Sequence, residues 1–201
     1  EGDGPFLQWE GSNRDEMLVF TDRQQCYKAR LSDFDDSKAS LLGDFLPTKL
    51  GMDPGEGFVW ACVTADYSGH LLFFFENGKA ARVELKAYQT TSNRRKLTGA
   101  YSDKSPLRCI LPLAEDQEVA VYSTERRCLV FHTALLAPKT TRTTQGVAVM
   151  TLKPKYHLES VEPLAQTSIS NVSRYRVRAL PAAGALLRQE DTEERQLDLL
   201  E

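Results

Sequence analysis

Residues Leu71–Tyr88 read LLFFFENGKAARVELKAY. Two apolar runs flank Asn77-Gly78, a dipeptide that accepts left-handed backbone and is a strong signal for a tight turn between antiparallel strands. The stretch therefore reads as a β-hairpin. Met17–Phe34 (MLVFTDRQQCYKARLSDF) and Val119–Leu136 (VAVYSTERRCLVFHTALL) align with it without gaps, at offsets of 54 and 48 residues. The turns expected there, Arg23-Gln24-Gln25 and Glu125-Arg126-Arg127, carry weaker turn chemistry.

The columns of this alignment make physical sense. The fourth position is Phe20, Phe74 or Tyr122, an aromatic inside the first strand. The thirteenth, on the second strand, is Ala29, Val83 or Phe131, and the last is an apolar plug, Phe34, Tyr88 or Leu136. Each copy continues through a polar loop to a glycine (Gly43, Gly99, Gly146), after which a short strand is expected. A last strand precedes the next hairpin: Phe58–Val63, then Leu107–Leu113, and Leu158–Leu164 after the third hairpin. Pro5–Gly11 sits at the same distance ahead of the first hairpin and reads as the last strand of a preceding copy. A four-stranded unit recurring about every 50 residues fits a blade of a propeller-like array. The expected organisation is a leading strand over 1–16, repeats over 17–70, 71–118 and 119–165, a closing segment over 166–187 and an acidic tail over 188–201. In the closing segment, Tyr175, Val177 and Ala179 alternate with Arg174, Arg176 and Arg178, the pattern of a strand with one basic face. Pro181 and Gly184 end it, and its Arg174, Arg176 and Arg178 face could equally bind the acidic tail.

Composition agrees with a folded domain: 41% of residues are hydrophobic and 26% charged, and no apolar run is long enough to span a bilayer. The chain starts at Glu1 without a leader-like stretch, so it reads as an excised fragment of a cytoplasmic protein. Cys26, Cys62, Cys109 and Cys128 show no metal-ligand spacing with one another or with His70, His132 and His157. Cys26 and Cys128 share the tenth hairpin column with Ala80, and Cys62 and Cys109 fall nine and ten residues ahead of the next hairpin. Small, semi-apolar packing positions in each blade account for all four. Trp9 and Trp60 fall in equivalent last strands and read as core residues. No nucleophile elbow, zinc-protease helix, phosphate-binding loop or dinucleotide fingerprint is present, so no catalytic residues are expected in this chain.

The net charge of −3 is unevenly spread. Arg188–Glu201 holds six acids and two arginines, leaving a body at about neutrality with local basic clusters. Those clusters recur in the loop after each hairpin: Lys38 in the first copy, Arg94, Arg95 and Lys96 in the second, Lys139 and Arg142 in the third, each among Ser, Thr or Asn. Lys153 and Lys155 could extend them; Lys28 and Arg82 share one column of the second strand, but the third copy has Val130 there. Cations with neighbouring hydroxyl and amide donors suit phosphate oxygens. Recurrence would turn these loops into one basic track on a common rim. The alternative is a protein-docking face on a propeller-like module without nucleic-acid binding, a reading favoured by the near-neutral body.

Three stretches, Phe20–Phe34, Ala87–Gly99 and Ala137–Met150, resemble the repeat of the C-terminal domain found in the A subunits of DNA gyrase and topoisomerase IV. The resemblance covers roughly residues 1–165. It implies an all-β fold, a β-pinwheel of strand-exchanged blades. Its basic rim would bind or wrap duplex DNA without sequence preference, through Arg94, Arg95, Lys96 and Arg142 and, beside them, Lys38 and Lys139. It also implies a parent type IIA topoisomerase, an A2B2 assembly whose ATP and Mg2+ sites and cleavage tyrosine lie in other domains. This fragment itself would need no cofactor or metal. Two features depart from the gyrase pattern. Ser92–Gly99 (SNRRKLTG) lacks the paired glycines of the gyrase basic box, and the chain shows three hairpins where full domains have more blades. The acidic tail is similar in kind to tails that compete for the basic rim.

Overall fold

A computed structural model describes residues 15–33, 48, 50–92 and 94–192. Strand is the dominant regular structure. The twelve strands are β1 (Glu16–Thr21), β2 (Gln25–Arg30), β3 (Phe58–Thr64), β4 (His70–Phe75), β5 (Lys79–Glu84), β6 (Lys96–Thr98), β7 (Leu107–Leu113), β8 (Glu118–Ser123), β9 (Arg127–His132), β10 (Val147–Ala148), β11 (Leu158–Pro163) and β12 (Ala185–Leu186). They form three four-stranded sheets of order β3-β1-β2-β6, β10-β5-β4-β7 and β11-β8-β9-β12, antiparallel throughout. No helix among the described residues is long and apolar enough to cross a membrane.

Each sheet is centred on one of the three hairpins expected from the repeat. All three turns place the same column in left-handed backbone: Gln24 at φ 56°, Gly78 at 84° and Arg126 at 64°. The turn geometry is shared even where the sequence offers no glycine, so the paired strands impose it. Across each hairpin the fourth-column aromatic faces the tenth-column small residue: Phe20 opposite Cys26, Phe74 opposite Ala80, Tyr122 opposite Cys128. A bulky ring on one strand leaves room for only a small partner, which is why Cys and Ala interchange there.

The fourth strand of each sheet comes from farther along the chain. β6 follows the second hairpin yet pairs with β2 of the first, and β10 follows the third hairpin yet pairs with β5 of the second. The third sheet is completed by β12 from the closing segment. This is strand exchange between successive repeats, and it ties distant parts of the sequence into each sheet.

The register corrects two alignments made from sequence. Leu97 and Val147 occupy matching positions, opposite Cys26 and Ala80, so the counterpart of Gly146 is Lys96 and not Gly99. In the second repeat the short strand therefore precedes its glycine. The third member of that column is Gly184, next to Ala185 opposite Cys128. A Cβ on Gly146 would stand 1.9 Å from the Ala80 carbonyl oxygen, and one on Gly184 would stand 2.5 Å from that of Cys128. Likewise Trp60 and Cys109 are the matching pair, opposite Phe20 and Phe74, whereas Cys62 lies opposite Leu18. Cys62 and Cys109 are thus two positions apart on the sheet. Each aligned by count because β3 and β7 lead to the following hairpins through connections of slightly different length.

The expected basic-faced strand at 174–178 does not form. Val172–Arg174 is a 3-10 turn and Tyr175 is buried. Two of its arginines reach carboxylates, Arg174 those of Glu190 and Asp191 at the start of the acidic tail and Arg176 that of Glu118, while Arg178 is exposed. The arginines stay at the surface, but on a 3-10 turn and irregular backbone and not on a strand. The tail begins with one helical turn, Gln189–Thr192, in which Asp191 is fully buried. Pro5–Gly11, Trp9, Phe34, Gly43 and the tail beyond Thr192 lie outside the described residues.

The chain divides into two compact units. One comprises residues up to Ser68 with Leu85–Asp103 and Thr140–Thr143; the other comprises Gly69–Glu84, Lys104–Lys139 and Thr144 onward. The first packs Met17, Val19, Tyr27, Leu50 and Ala61 together, with Phe20 against Trp60 and Tyr88. The second packs a core that includes Leu72, Phe74, Val121, Phe131 and Met150. Each fully buried side chain of this size contributes roughly 1.5–3 kcal/mol by leaving water.

Candidate nucleic-acid interface

The loop after the second hairpin is held at both ends. Tyr88, the apolar plug, is buried, and its hydroxyl donates to the Ala100 carbonyl at 2.7 Å. Thr90 accepts from the Lys28 ammonium at 2.8 Å and donates to the Ser92 carbonyl at 3.1 Å. The Lys28 amide donates to the Arg95 carbonyl at 2.7 Å. With both ends tied, Arg94 and Arg95 project outward and are exposed. Neither guanidinium makes a hydrogen bond or ion pair among the described residues.

Beneath them runs a groove of about 420 Å³ lined by Lys28, Arg30, Thr90, Ser92, Arg94, Arg95 and Glu16 among others. It contains four cations and one carboxylate. Hydroxyls of Thr90, Thr91 and Ser92 add donors along its edge. A concave, positively charged surface with hydroxyl donors can take the oxygens of an anionic backbone by charge and by hydrogen bond.

The other expected contacts fall in different settings. Lys96 sits at the start of β6, bonded to Asp53 at 3.1 Å and with its ammonium 5.8 Å from the Tyr27 ring centre. That hydrogen bond is the main cause that holds the Asp53 carboxyl below its ordinary pKa. Arg142 is half-buried and turned inward: its guanidinium donates to the carbonyls of Ala87 at 2.9 Å, Gly99 at 3.4 Å and Thr98 at 3.5 Å. It staples the ends of the 88–98 loop while adding positive charge next to it. Lys139 is exposed and belongs to the other unit, where its backbone bonds Arg82 and Glu84. Lys38 lies outside the described residues. The structure thus gathers Arg94, Arg95, Lys96 and Arg142 in one unit, the first three exposed and Arg142 half-buried.

Lys28 and Arg82, the two cations that share a column, are both nearly buried, 6% and 9% exposed. Each anchors the loop that follows the next hairpin. Lys28 reaches Thr90, and Arg82 donates to the Thr133 and Leu136 carbonyls at 2.9 and 3.3 Å, with Asp116 at 2.7 Å and His70 Nδ1 at 2.8 Å. The signal was in the alignment: two cations in a column otherwise flanked by apolar residues.

The thiols have no electropositive, open setting. Desolvation drives the Cys26 thiol far above its ordinary value, Cys62 and Cys128 to about 12, and Cys109 to about 11. Neutral thiols that fill small positions are inert packing groups. Among the described residues no three His, Cys, Asp or Glu side chains lie together as a metal site.

No family model and no curated protein matches this sequence. Solved structures do match its fold. The C-terminal domain of DNA topoisomerase IV superposes with a TM-score of 0.66 at 20% identity, over 78% of this chain and 49% of that one. The DNA gyrase A C-terminal domain gives 0.57 at 18% identity, over 87% and 60%. The E. coli ParC C-terminal domain gives 0.54 at 14% identity, over 78% and 59%. The chain spans about half to three-fifths the length of these structures. At such identities the likeness is one of fold: three four-stranded, strand-exchanged sheets, the β-pinwheel blade pattern.

Proposed function

We propose that this chain is part of the C-terminal β-pinwheel domain in the A protein of a type IIA topoisomerase, and that it holds duplex DNA without sequence preference. The observation that carries this reading is the pair Arg94 and Arg95, exposed and without a hydrogen bond or ion pair among the described residues, on a groove whose described lining has four cations and one acid. A cleft lined mainly by one sign of charge focuses the field and raises the local concentration of anions. The fold supports the choice of duplex DNA over other anions. The C-terminal domains of DNA topoisomerase IV and gyrase A share the sheet pattern, and the loop bearing these arginines is one of the basic loops that recur with the repeat. On this reading the chain presents DNA to ATP- and Mg2+-dependent strand passage performed by other domains and partner proteins in the bacterial cytoplasm.

Reversing the charge at Arg94 and Arg95 (Arg94→Glu, Arg95→Glu) tests it. Duplex binding measured by fluorescence anisotropy at low salt should weaken by at least about tenfold, since two phosphate contacts become repulsions. Equal affinity in the variant and the wild type would refute the assignment. Retention of a protein partner through nuclease treatment, with no duplex binding, would favour a docking module instead.

A further inference from the structure

Among the described residues that line the groove, Glu16 is the one carboxylate. It is fixed in place: its Oε2 accepts from the Tyr67 hydroxyl at 2.7 Å and lies 3.7 Å from the Lys28 ammonium. The same residue stands directly across the strand pair from Arg30. At 3.7 Å the Lys28 contact is Coulombic and not a hydrogen bond; Lys28 spends its short bond on Thr90. The carboxylate therefore occupies the negative position in a site of four cations while leaving Arg94 and Arg95 unpaired. We infer that Glu16 is a built-in competitor for the nucleic-acid phosphate, placed to weaken the hold of this groove on DNA. The inference rests on the DNA reading above. A segment that must be released after strand passage is served by a site that holds it loosely. Like charges several ångströms apart at a partly exposed site repel enough to change affinity by about three- to tenfold.

The test is a cycle of variants titrated with a labelled short duplex at one salt concentration. Glu16→Gln keeps an acceptor for Tyr67 and removes the charge; it should bind about three- to tenfold tighter than wild type. The gain should vanish when Arg94→Glu and Arg95→Glu are also present, because no phosphate then enters the groove. Glu159→Gln, an exposed carboxylate outside the groove, controls for net charge and should change affinity less than about twofold. Unchanged affinity in Glu16→Gln overturns the inference, as does an equal gain in the charge-reversed background or in Glu159→Gln. If Glu16→Gln fails to fold, Glu16→His takes its place at about pH 8, where imidazole is neutral. The second hairpin already carries His70 at this position, opposite Glu84 as Glu16 is opposite Arg30. A wild-type chain that binds no duplex overturns the DNA reading and this inference together. One that binds while Glu16→Gln is silent overturns the inference alone.

Discussion

Lys28 and Thr90 are separated by 62 residues of sequence and joined by a 2.8 Å hydrogen bond. The bond runs from a nearly buried ammonium on β2 to the base of the loop that carries Arg94 and Arg95. Lys28 thus acts on the candidate interface by positioning it.

Replacing Lys28 with Met keeps the packed stem and removes the donor. Lys28→Met leaves the Glu16 carboxylate and the Thr90 hydroxyl without their cationic partner and costs about 1–3 kcal/mol. The loop should loosen as well. The expected outcome is a lower urea midpoint, faster backbone hydrogen exchange at 90–92 and 94–95 beyond what the global loss accounts for, and duplex affinity lower by about three- to tenfold. A variant with an unchanged exchange pattern would show that Thr90 does not need the anchor.

Gly146 and Gly99 separate two effects that the sequence alignment had merged. Gly146→Ala places a Cβ against the Ala80 carbonyl, with φ at 73°, and should destabilise the second sheet by more than about 3 kcal/mol. Gly99→Ala meets only the Thr143 methyl at 3.1 Å, with φ at 56°, and should cost about 1–2 kcal/mol of left-handed strain. Chemical denaturation of the two variants checks the order. Similar costs would restore the equivalence that the sheet register denies.

The hairpins were legible because their information is local: a turn, two apolar runs and fixed columns. The small tenth column was legible for the same reason, and Phe20 opposite Cys26 explains it. The exchanged strands were only half legible. β6 and β10 are three and two residues long, too short to show a period, and their register depends on the partner strand. In the closing segment the pairing of Arg174 with the tail residues Glu190 and Asp191 was legible from charge, whereas the 3-10 turn in place of a strand and the Glu118 partner of Arg176 were not. At the candidate interface, Arg94 and Arg95 could be named from composition. The inward turn of Arg142 toward three carbonyls, and the part played by Lys28 and Glu16, required the fold.

Asp191 makes the third sheet sensitive to acid. Its carboxylate accepts from the Tyr175 hydroxyl, from Asn171 at 2.7 Å and from Arg174 at 2.7 Å. These bonds, from Tyr175 and Asn171 foremost, hold its pKa below the ordinary carboxylate value. A depressed folded pKa means the group favours the folded state fully above the unfolded value of about 3.9 and loses that contribution as pH falls through the folded one. Asp191→Asn should lower the urea midpoint at neutral pH and flatten its decline under acid. A variant whose acid decline parallels the wild type would place the sensitivity elsewhere.

The central claim is that this domain holds duplex DNA through phosphate contacts, and the salt dependence of binding tests it most directly. Anisotropy titrations of the wild-type chain with a labelled duplex across a range of salt concentrations should give a linear fall of log affinity with log salt. Two to four phosphates engaged by Arg94, Arg95 and their neighbours correspond to a slope of about −2 to −4. A slope near zero, or no binding at low salt, would contradict the account.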